Sequence, residues 1–281
     1  SAMSGTQWID RNFKNYLHTS KRPEAIDGVG VTLAMFIEDA PASTERAIQS
    51  LIEKTDQRGI NLELIAIDNA SGHETKTLLD LLEATYANLR LITNPKKMSR
   101  SVASNLAART SQQEFLCFAN SDIEIQDPSW LHRLLMVMQA HDQVAAVGPI
   151  LLNEDLETQS AGIHVGGGPD GLSLPAEDIR HFQQPKTVDA LSMACLLVRR
   201  SVHEQIGGFD QRFCHDRQDL DYCLRIKELG QALFLASDAE VTQHKVCSRD
   251  FDERTSVDNE LLREKWQSRF ALVNHCAEAV R

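Results

Sequence analysis

The chain has 281 residues, 42% of them hydrophobic and 25% charged, which is enough apolar material for a sizeable core. It carries no low-complexity tract or internal repeat, so one large α/β domain is expected. The formal net charge of −11 argues against a nucleic-acid backbone or an anionic membrane surface as the main partner. It leaves room for a small anionic ligand held by local amides, arginines or a metal.

No apolar run reaches the length of a membrane-spanning helix and no signal-peptide pattern opens the chain. The expected location is therefore the cytoplasm, with at most peripheral contact at the inner face of the membrane. The opening Ser1-Ala2-Met3 reads as the scar of a cleaved tag, so the natural start is expected elsewhere, in a larger chain or complex. Cys117, Cys195, Cys214, Cys223, Cys247 and Cys276 form no C-x-x-C pair and are expected to act as small buried hydrophobes.

In chain order, residues 1–28 read as a polar, helix-leaning lead-in. Val29 to Ile37 is a near-continuous apolar run of strand length, as in a strand covered on both faces. A helix follows, with Ser43 or Thr44 as its cap and Ala47, Ile48, Leu51 and Ile52 as its apolar stripe. The alternation continues with a strand over Leu62 to Ile67, a helix over Glu74 to Tyr86 and a strand over Leu89 to Ile92. Next come a helix over Ser101 to Arg109 and a strand over Glu114 to Ala119. Strands and helices alternating at this spacing predict right-handed βαβ units and a mostly parallel, Rossmann-like sheet flanked by helices. Ligands in such sheets collect beyond the carboxyl ends of the strands.

After a helix over Trp130 to Ala140 and a strand from Val144, residues Asn153 to Gln184 are long and irregular, as in a binding loop that covers an acceptor. Regularity returns with a strand ending at Arg199 and Arg200, a short helix, the turn Gly207-Gly208-Phe209-Asp210 and a helix from Gln218. Two further strands precede a charged helical tail. The expected division is a lead-in over 1–28, an α/β domain over 29–248 and a tail over 249–281. The domain itself splits into a nucleotide-binding half over 29–125 and a smaller acceptor-side half over 126–248.

Three strand ends carry candidate chemistry. Asp68 and Asn69 follow an apolar strand, where they form either a simple turn or a carboxylate that receives a nucleoside. Asp122, in Phe118-Ala119-Asn120-Ser121-Asp122, is either a turn cap or a hard oxygen ligand for a divalent cation. His244 also follows a strand, and a lone histidine is most often structural. Helical phase separates two aspartates near the start of the last helix of the domain. Asp219 shares a stripe with Tyr222, Cys223 and Ile226 that is expected to face the protein, whereas Asp221 aligns with Arg225 in an i,i+4 ion pair. A partly desolvated carboxylate makes a better general base, which nominates Asp219.

Together these segments resemble the family 2 glycosyltransferases, inverting enzymes with the GT-A fold that include rhamnosyl- and other glycosyltransferases of bacterial polysaccharide assembly. The resemblance runs from about Val29 to Val246. IAIDNASG is similar to the family's nucleoside loop, and NPKKMSRSVASNLAA to its N-x-x-x-G-F…N-x-G segment. FANSD matches a D-x-D motif that keeps only its last aspartate. The run from Ala190 to Phe213 is similar to the family's acceptor-side stretch, and RQDLDYCLRIKELG to the segment carrying its catalytic aspartate.

The resemblance implies that Asp219 is the base and that Asp68, Asn69, Ser71, Asn94, Arg100, Asn105, Asn120 and Ser121 contact a nucleotide-sugar donor. It implies Mg²⁺ or Mn²⁺ on Asp122 and His244, a saccharide, lipid-linked or glycoconjugate acceptor, and no nucleic acid. The departures are Asn120 for the first D-x-D aspartate, Gln218 for the glutamate beside the base, and Ser99-Arg100 for Gly-Phe. Two rival readings stand beside this one: a degenerate module that binds without turnover, and a sugar nucleotidyltransferase, although no glycine-rich phosphate loop with a lysine follows the first strand.

Overall fold

The computed structural model describes residues 26–140, 142–165, 174–175, 185–244 and 256–266. Its central element is β1 (Val29–Ile37), whose alternate residues Val31, Leu33, Met35 and Ile37 face one core while Ala34 faces another. β1 pairs in parallel with β2 (Ile60–Asn69) and with β4 (Phe115–Asn120), and β2 pairs in parallel with β3 (Leu89–Asn94). Their carboxyl ends therefore open on one edge. The short β5 (Ile123–Glu124) follows β4. β6 (Val144–Leu152) leads into β7 (Thr158–Ser160), β8 (Ile163–His164), β9 (Leu174–Pro175) and β10 (Lys186–Thr187). β11 (Cys195–Arg199) and β12 (Ala232–Gln243) complete the strands.

The main sheet runs in the order β10-β12-β6-β11-β4-β1-β2-β3, with β5 on β12 and β7 on β6. β11 is antiparallel to both of its neighbours, β4 and β6. It enters beside the end of β4, with Cys195 opposite Ala119, and so brings the Met193-Ala194 segment to the ligand edge. The final strand is one continuous element rather than two, because a bulge between Ala236 and Glu240 absorbs the polar interruption.

Helices cover both faces. α1 (Pro41–Gln49), α2 (His73–Thr85) and α4 (Trp130–Gln139) pack on one side through Ala47, Ile48, Leu79, Leu82, Trp130 and Leu134. The other side takes α3 (Arg100–Thr110), α5 (Arg200–Gln205), α6 (Gln218–Glu228) and α7 (256–266). α1 begins at Pro41, not at Ser43 or Thr44, which are both buried; proline's fixed φ suits the first helical turn. The α1 helix runs on as a π-helical turn over Ser50–Lys54.

α7 contributes Leu262 and Trp266 to the second core, so this part of the tail belongs to the domain's packing. Arg199 donates to the carbonyls of Val144 and Met138 and Arg200 to that of Gln113, which makes both strand-end fasteners, as expected. Cys117, Cys195 and Cys223 are buried and Cys214 is exposed; Cys247 and Cys276 lie outside the described residues, as do most of the lead-in and parts of the 153–184 loop. No helix among the described residues is long and apolar enough to cross a membrane.

Candidate active site

At the carboxyl edge of β1, β2 and β3 lies a cavity of about 540 Å³. Phe36, Glu38 and Asn69 form one wall, Lys97 to Arg100 a second, and Cys214 with His215 a third. Four of the five non-glycine residues with positive φ in the described residues cluster at strand ends and loops of this region: Asp39, Ala40, Ala70 and Arg217. Left-handed backbone at non-glycine residues persists only where surrounding contacts over-determine it, and it concentrates at functional sites.

The contacts that hold these turns lace the loops after β1 and β2 together. The Asp39 N–H donates to Ser71 Oγ at 3.0 Å, and the Gly72 N–H donates to Asp39 Oδ1 at 2.7 Å. Asp68 lies beneath them, fully buried. Its Oδ1 accepts from the Ser71 N–H, and its Oδ2 has no partner among the described residues. On the next strand, buried Asn94 likewise leaves Nδ2 unpartnered. An orphan acceptor and an orphan donor at adjacent strand ends are costly unless a ligand meets them.

Asn69 reaches the cavity, but its amide is engaged: Nδ2 donates to the Met98 carbonyl and Oδ1 accepts from the Met98 N–H. It shapes the second wall. The Asn105 amide is engaged too, since it receives the Phe209 N–H and donates to the Phe209 carbonyl. Gly208 makes this approach possible, because a Cβ there would sit 2.4 Å from Asn105 Oδ1 and its φ is +75°. Asn105 is thus a buried fastener and does not line the cavity.

Arg100 does line it. Its guanidinium lies 5.3 Å from the Phe36 ring centroid and donates from Nη1 to Asn120 Oδ1. The amide that replaces the first D-x-D aspartate is therefore bound to a cation of the cavity wall. Ser121 supplies its carbonyl to Ser43 Oγ at 2.9 Å. The carboxylate of Asp122 accepts from Gln243 Nε2 at 3.1 and 3.3 Å, and its carbonyl accepts from the His244 N–H. The His244 ring does not turn to Asp122: Nε2 sits on Glu124 at 2.8 Å and Nδ1 on Glu154 at 3.1 Å. Among the described residues no cluster of three or more His, Cys, Asp or Glu side chains could hold a metal. One carboxylate suits a cation that keeps several waters and takes its remaining ligands from phosphates, as Mg²⁺ does.

Asp219 occupies the first turn of α6. The Met193 N–H donates to its Oδ2 at 3.3 Å, and the neighbouring Ala194 carbonyl accepts from the Asn120 N–H at 3.0 Å. Two residues of chain thus tie the Asp219 carboxylate to the end of β4. Gln218, beside it, is buried with Oε1 unpartnered, so a glutamate in its place would bury an unpaired charge.

The expected burial of the two aspartates is reversed. Asp221 is the fully buried one, bound to Arg225 Nε at 2.8 Å, Lys265 Nζ at 2.7 Å and Trp266 Nε1 at 2.9 Å, while Asp219 is half-buried. The i,i+4 pair forms as expected, but α7 covers the polar stripe that carries it. Nearby, His203 Nδ1 lies 2.8 Å from Tyr222 Oη within an aromatic cluster of Phe118, Phe209 and Tyr222. Burial, assisted by the charges of Arg225 and Arg109, holds the imidazole down at about 4.

A sheet of this order with a cavity at its carboxyl edge is the arrangement of the GT-A fold. Two solved structures share it: GalNAc-T7 with UDP, GalNAc and Mn²⁺ (TM-score 0.65, 13% identity, 79% of this chain and 44% of that one), and a Pyrobaculum calidifontis mannosyltransferase, PcManGT, in complex with GDP-Man and Mn²⁺ (TM-score 0.60, 15% identity, 88% and 66%).

The chain belongs to glycosyl transferase family 2, whose profile matches residues 32–207. It is 29% identical over 238 residues to the O-antigen biosynthesis protein RfbC of Myxococcus xanthus, covering 81% of this chain and 18% of that protein. It is 26% identical over 194 residues to the N-acetylglucosaminyl-diphospho-decaprenol L-rhamnosyltransferase of Mycobacterium tuberculosis, covering 59% and 62%. The chain therefore spans about a fifth of the first of these relatives and under two thirds of the second.

Proposed function

We propose that the protein transfers a sugar, with inversion, from a uridine or deoxythymidine diphosphate sugar to a hydroxyl of a saccharide, lipid-linked or glycoconjugate acceptor in polysaccharide assembly. The observation that carries this reading is the link from Asp219 through Met193-Ala194 to Asn120 at the end of β4, whose side chain accepts from the cavity-lining Arg100. The names of the bacterial relatives support the acceptor class.

In this reading the nucleoside lies in the cavity, where its base offers a donor to Asp68 Oδ2 and an acceptor to Asn94 Nδ2. For that contact the lacing of Asp39 to Ser71 and Gly72 must loosen. Arg100, pre-oriented by Phe36 and Asn120, faces the diphosphate with Lys97 nearby. Asp122 is the residue that would hold a divalent cation, which when bound neutralises charge on the departing diphosphate. Its single carboxylate fits a cation that arrives with the donor.

Asp219 takes the proton of the acceptor hydroxyl as that oxygen bonds to the anomeric carbon. The bond from that carbon to the diphosphate oxygen breaks on the opposite face, and the nucleoside diphosphate leaves with the electron pair. A single in-line displacement needs one base and no covalent intermediate, in keeping with one half-buried carboxylate in the first turn of α6. The test is a panel of nucleotide sugars offered with Mn²⁺ and with EDTA, reading nucleoside diphosphate release and binding heat. Absence of binding by every nucleotide sugar sinks the proposal.

A further inference from the structure

The loop from Cys214 to Arg217 joins the cavity wall to the helix that carries Asp219, and its backbone conformation is set from outside the region matched by the family. The Asp258 carboxylate, 1% exposed, accepts three consecutive N–H groups: Cys214 at 3.3 Å, His215 at 2.7 Å and Asp216 at 2.8 Å. Its neighbour Asn259 accepts from Arg217 Nε at 2.7 Å. Arg217 has φ +64°, a strained value for a residue with a side chain, and the next two residues are Gln218 and Asp219. On the opposite side Ser101 Oγ donates to the Phe213 carbonyl at 2.8 Å. The far end of the same helix is fixed on α6, since Lys265 and Trp266 both bind Asp221. α7 therefore braces α6 at two points, one at the loop and one at Asp221 in the first turn.

We propose that Asp258 is a positioning residue for sugar transfer: its carboxylate sets the 214–217 loop and, through it, the place of Asp219 relative to the cavity. An ionised acceptor binding three amides in a row is stronger and more directional than any single neutral contact available to that loop. Two of the three bonds hold Cys214 and His215 at the cavity end of the loop, and the third holds Asp216 two residues before α6, so one buried carboxylate fixes the approach to the base. The role rests on the transferase reading above, and Asp258 touches neither donor nor acceptor in it.

The test compares the complete chain with Asp258→Asn and with the milder Asn259→Ala, each verified as folded by near-ultraviolet circular dichroism. For Asp258→Asn the expected result is a fall in kcat of about 10- to 100-fold, with nucleoside diphosphate affinity within about threefold of the parent, because misplacement of a reacting group by roughly 1 Å has costs of that order. Hydrogen exchange of the 214–216 amides should accelerate in the same protein. Asn259→Ala should lower kcat by about threefold, as it frees only the Arg217 side chain. A folded Asp258→Asn protein with parental kcat, or one that loses donor affinity while keeping kcat, overturns the role. A parent protein that transfers no sugar from any donor overturns the transferase reading and this role with it, whereas an active parent with an indifferent Asp258→Asn overturns this role alone.

Discussion

Trp266 Nε1 donates across 2.9 Å to Oδ1 of the fully buried Asp221, whose carboxylate also binds the partly exposed Lys265 and Arg225. The contact joins two helices that are distant in sequence, and it buries one negative charge between two positive ones. Removing one member of such a group strands the others in a poorly hydrated place. Asp221→Ala should therefore lower the unfolding free energy by about 3–5 kcal/mol, measured by urea denaturation. A loss under about 1 kcal/mol would show the cluster to be as weak as an exposed ion pair.

Asp219→Asn should leave folding intact, since an amide oxygen still accepts the Met193 N–H. Sugar transfer should fall by about 10²- to 10⁴-fold, the usual worth of a general base, while donor binding in calorimetry stays at the parental level. Parental turnover in this variant would assign the base elsewhere.

Asp68 predicts an opposite pair of effects. Its Oδ2 is buried without a partner among the described residues, which costs stability in the unliganded protein. Asp68→Asn should keep or raise the urea midpoint yet weaken nucleoside diphosphate binding by about tenfold or more, a charge-assisted hydrogen bond being worth about 1.5–3 kcal/mol. Unchanged affinity would return Asp68 to the role of a turn residue for Ser71.

Arg100 lines the cavity, held by Phe36 and Asn120, and in the proposed function it meets the diphosphate. Arg100→Ala should cut donor affinity by about tenfold at low salt, with a smaller difference at high salt. Arg100→Lys should recover only part, because a point charge does not reproduce the bidentate geometry. Full recovery by lysine would reduce the role of Arg100 to net charge.

His203 predicts a pH dependence of stability. Its pKa is held at about 4 in the folded protein by burial and by the charges of Arg225 and Arg109. The unfolded chain takes up this proton near pH 6.5, so below that value the unfolded state binds more protons and stability falls with pH until the folded protein itself titrates near pH 4. The expected contribution is about 3 kcal/mol lost across that window and none above it. His203→Gln removes this term, so the stability gap between parent and variant should narrow from pH 7.5 to pH 4.5. A constant gap would show the ring to be solvated.

Much of the architecture was legible in the chain because apolar periodicity reports local structure. The run Val29 to Ile37 has the length and continuity of a doubly covered strand, and the alternation that follows it leads to a mostly parallel sheet. The motifs brought Asp68, Asn94, Arg100, Asn120, Asp122 and Asp219 to that edge region. The antiparallel entry of β11, which carries Met193 and Ala194 to Asp219 and Asn120, has no signature of its own, since an apolar strand reads alike in either direction. Asn105 carried a family motif, yet its amide serves Phe209 inside the core.

The sequence alone determined the fold class and the strand ends that share one edge, because strand and helix periods are written in consecutive residues. Asp219 is singled out by its motif and not by a helical phase whose burial the structure reverses. Only the tertiary structure decided which aspartate is buried. Helical phase considers one helix at a time, and it is α7 that covers Asp221 with Lys265 and Trp266. The same holds for Asp258, which no motif marks: its partners are amides some forty residues away, and a side chain that binds backbone leaves no residue-type pattern to read.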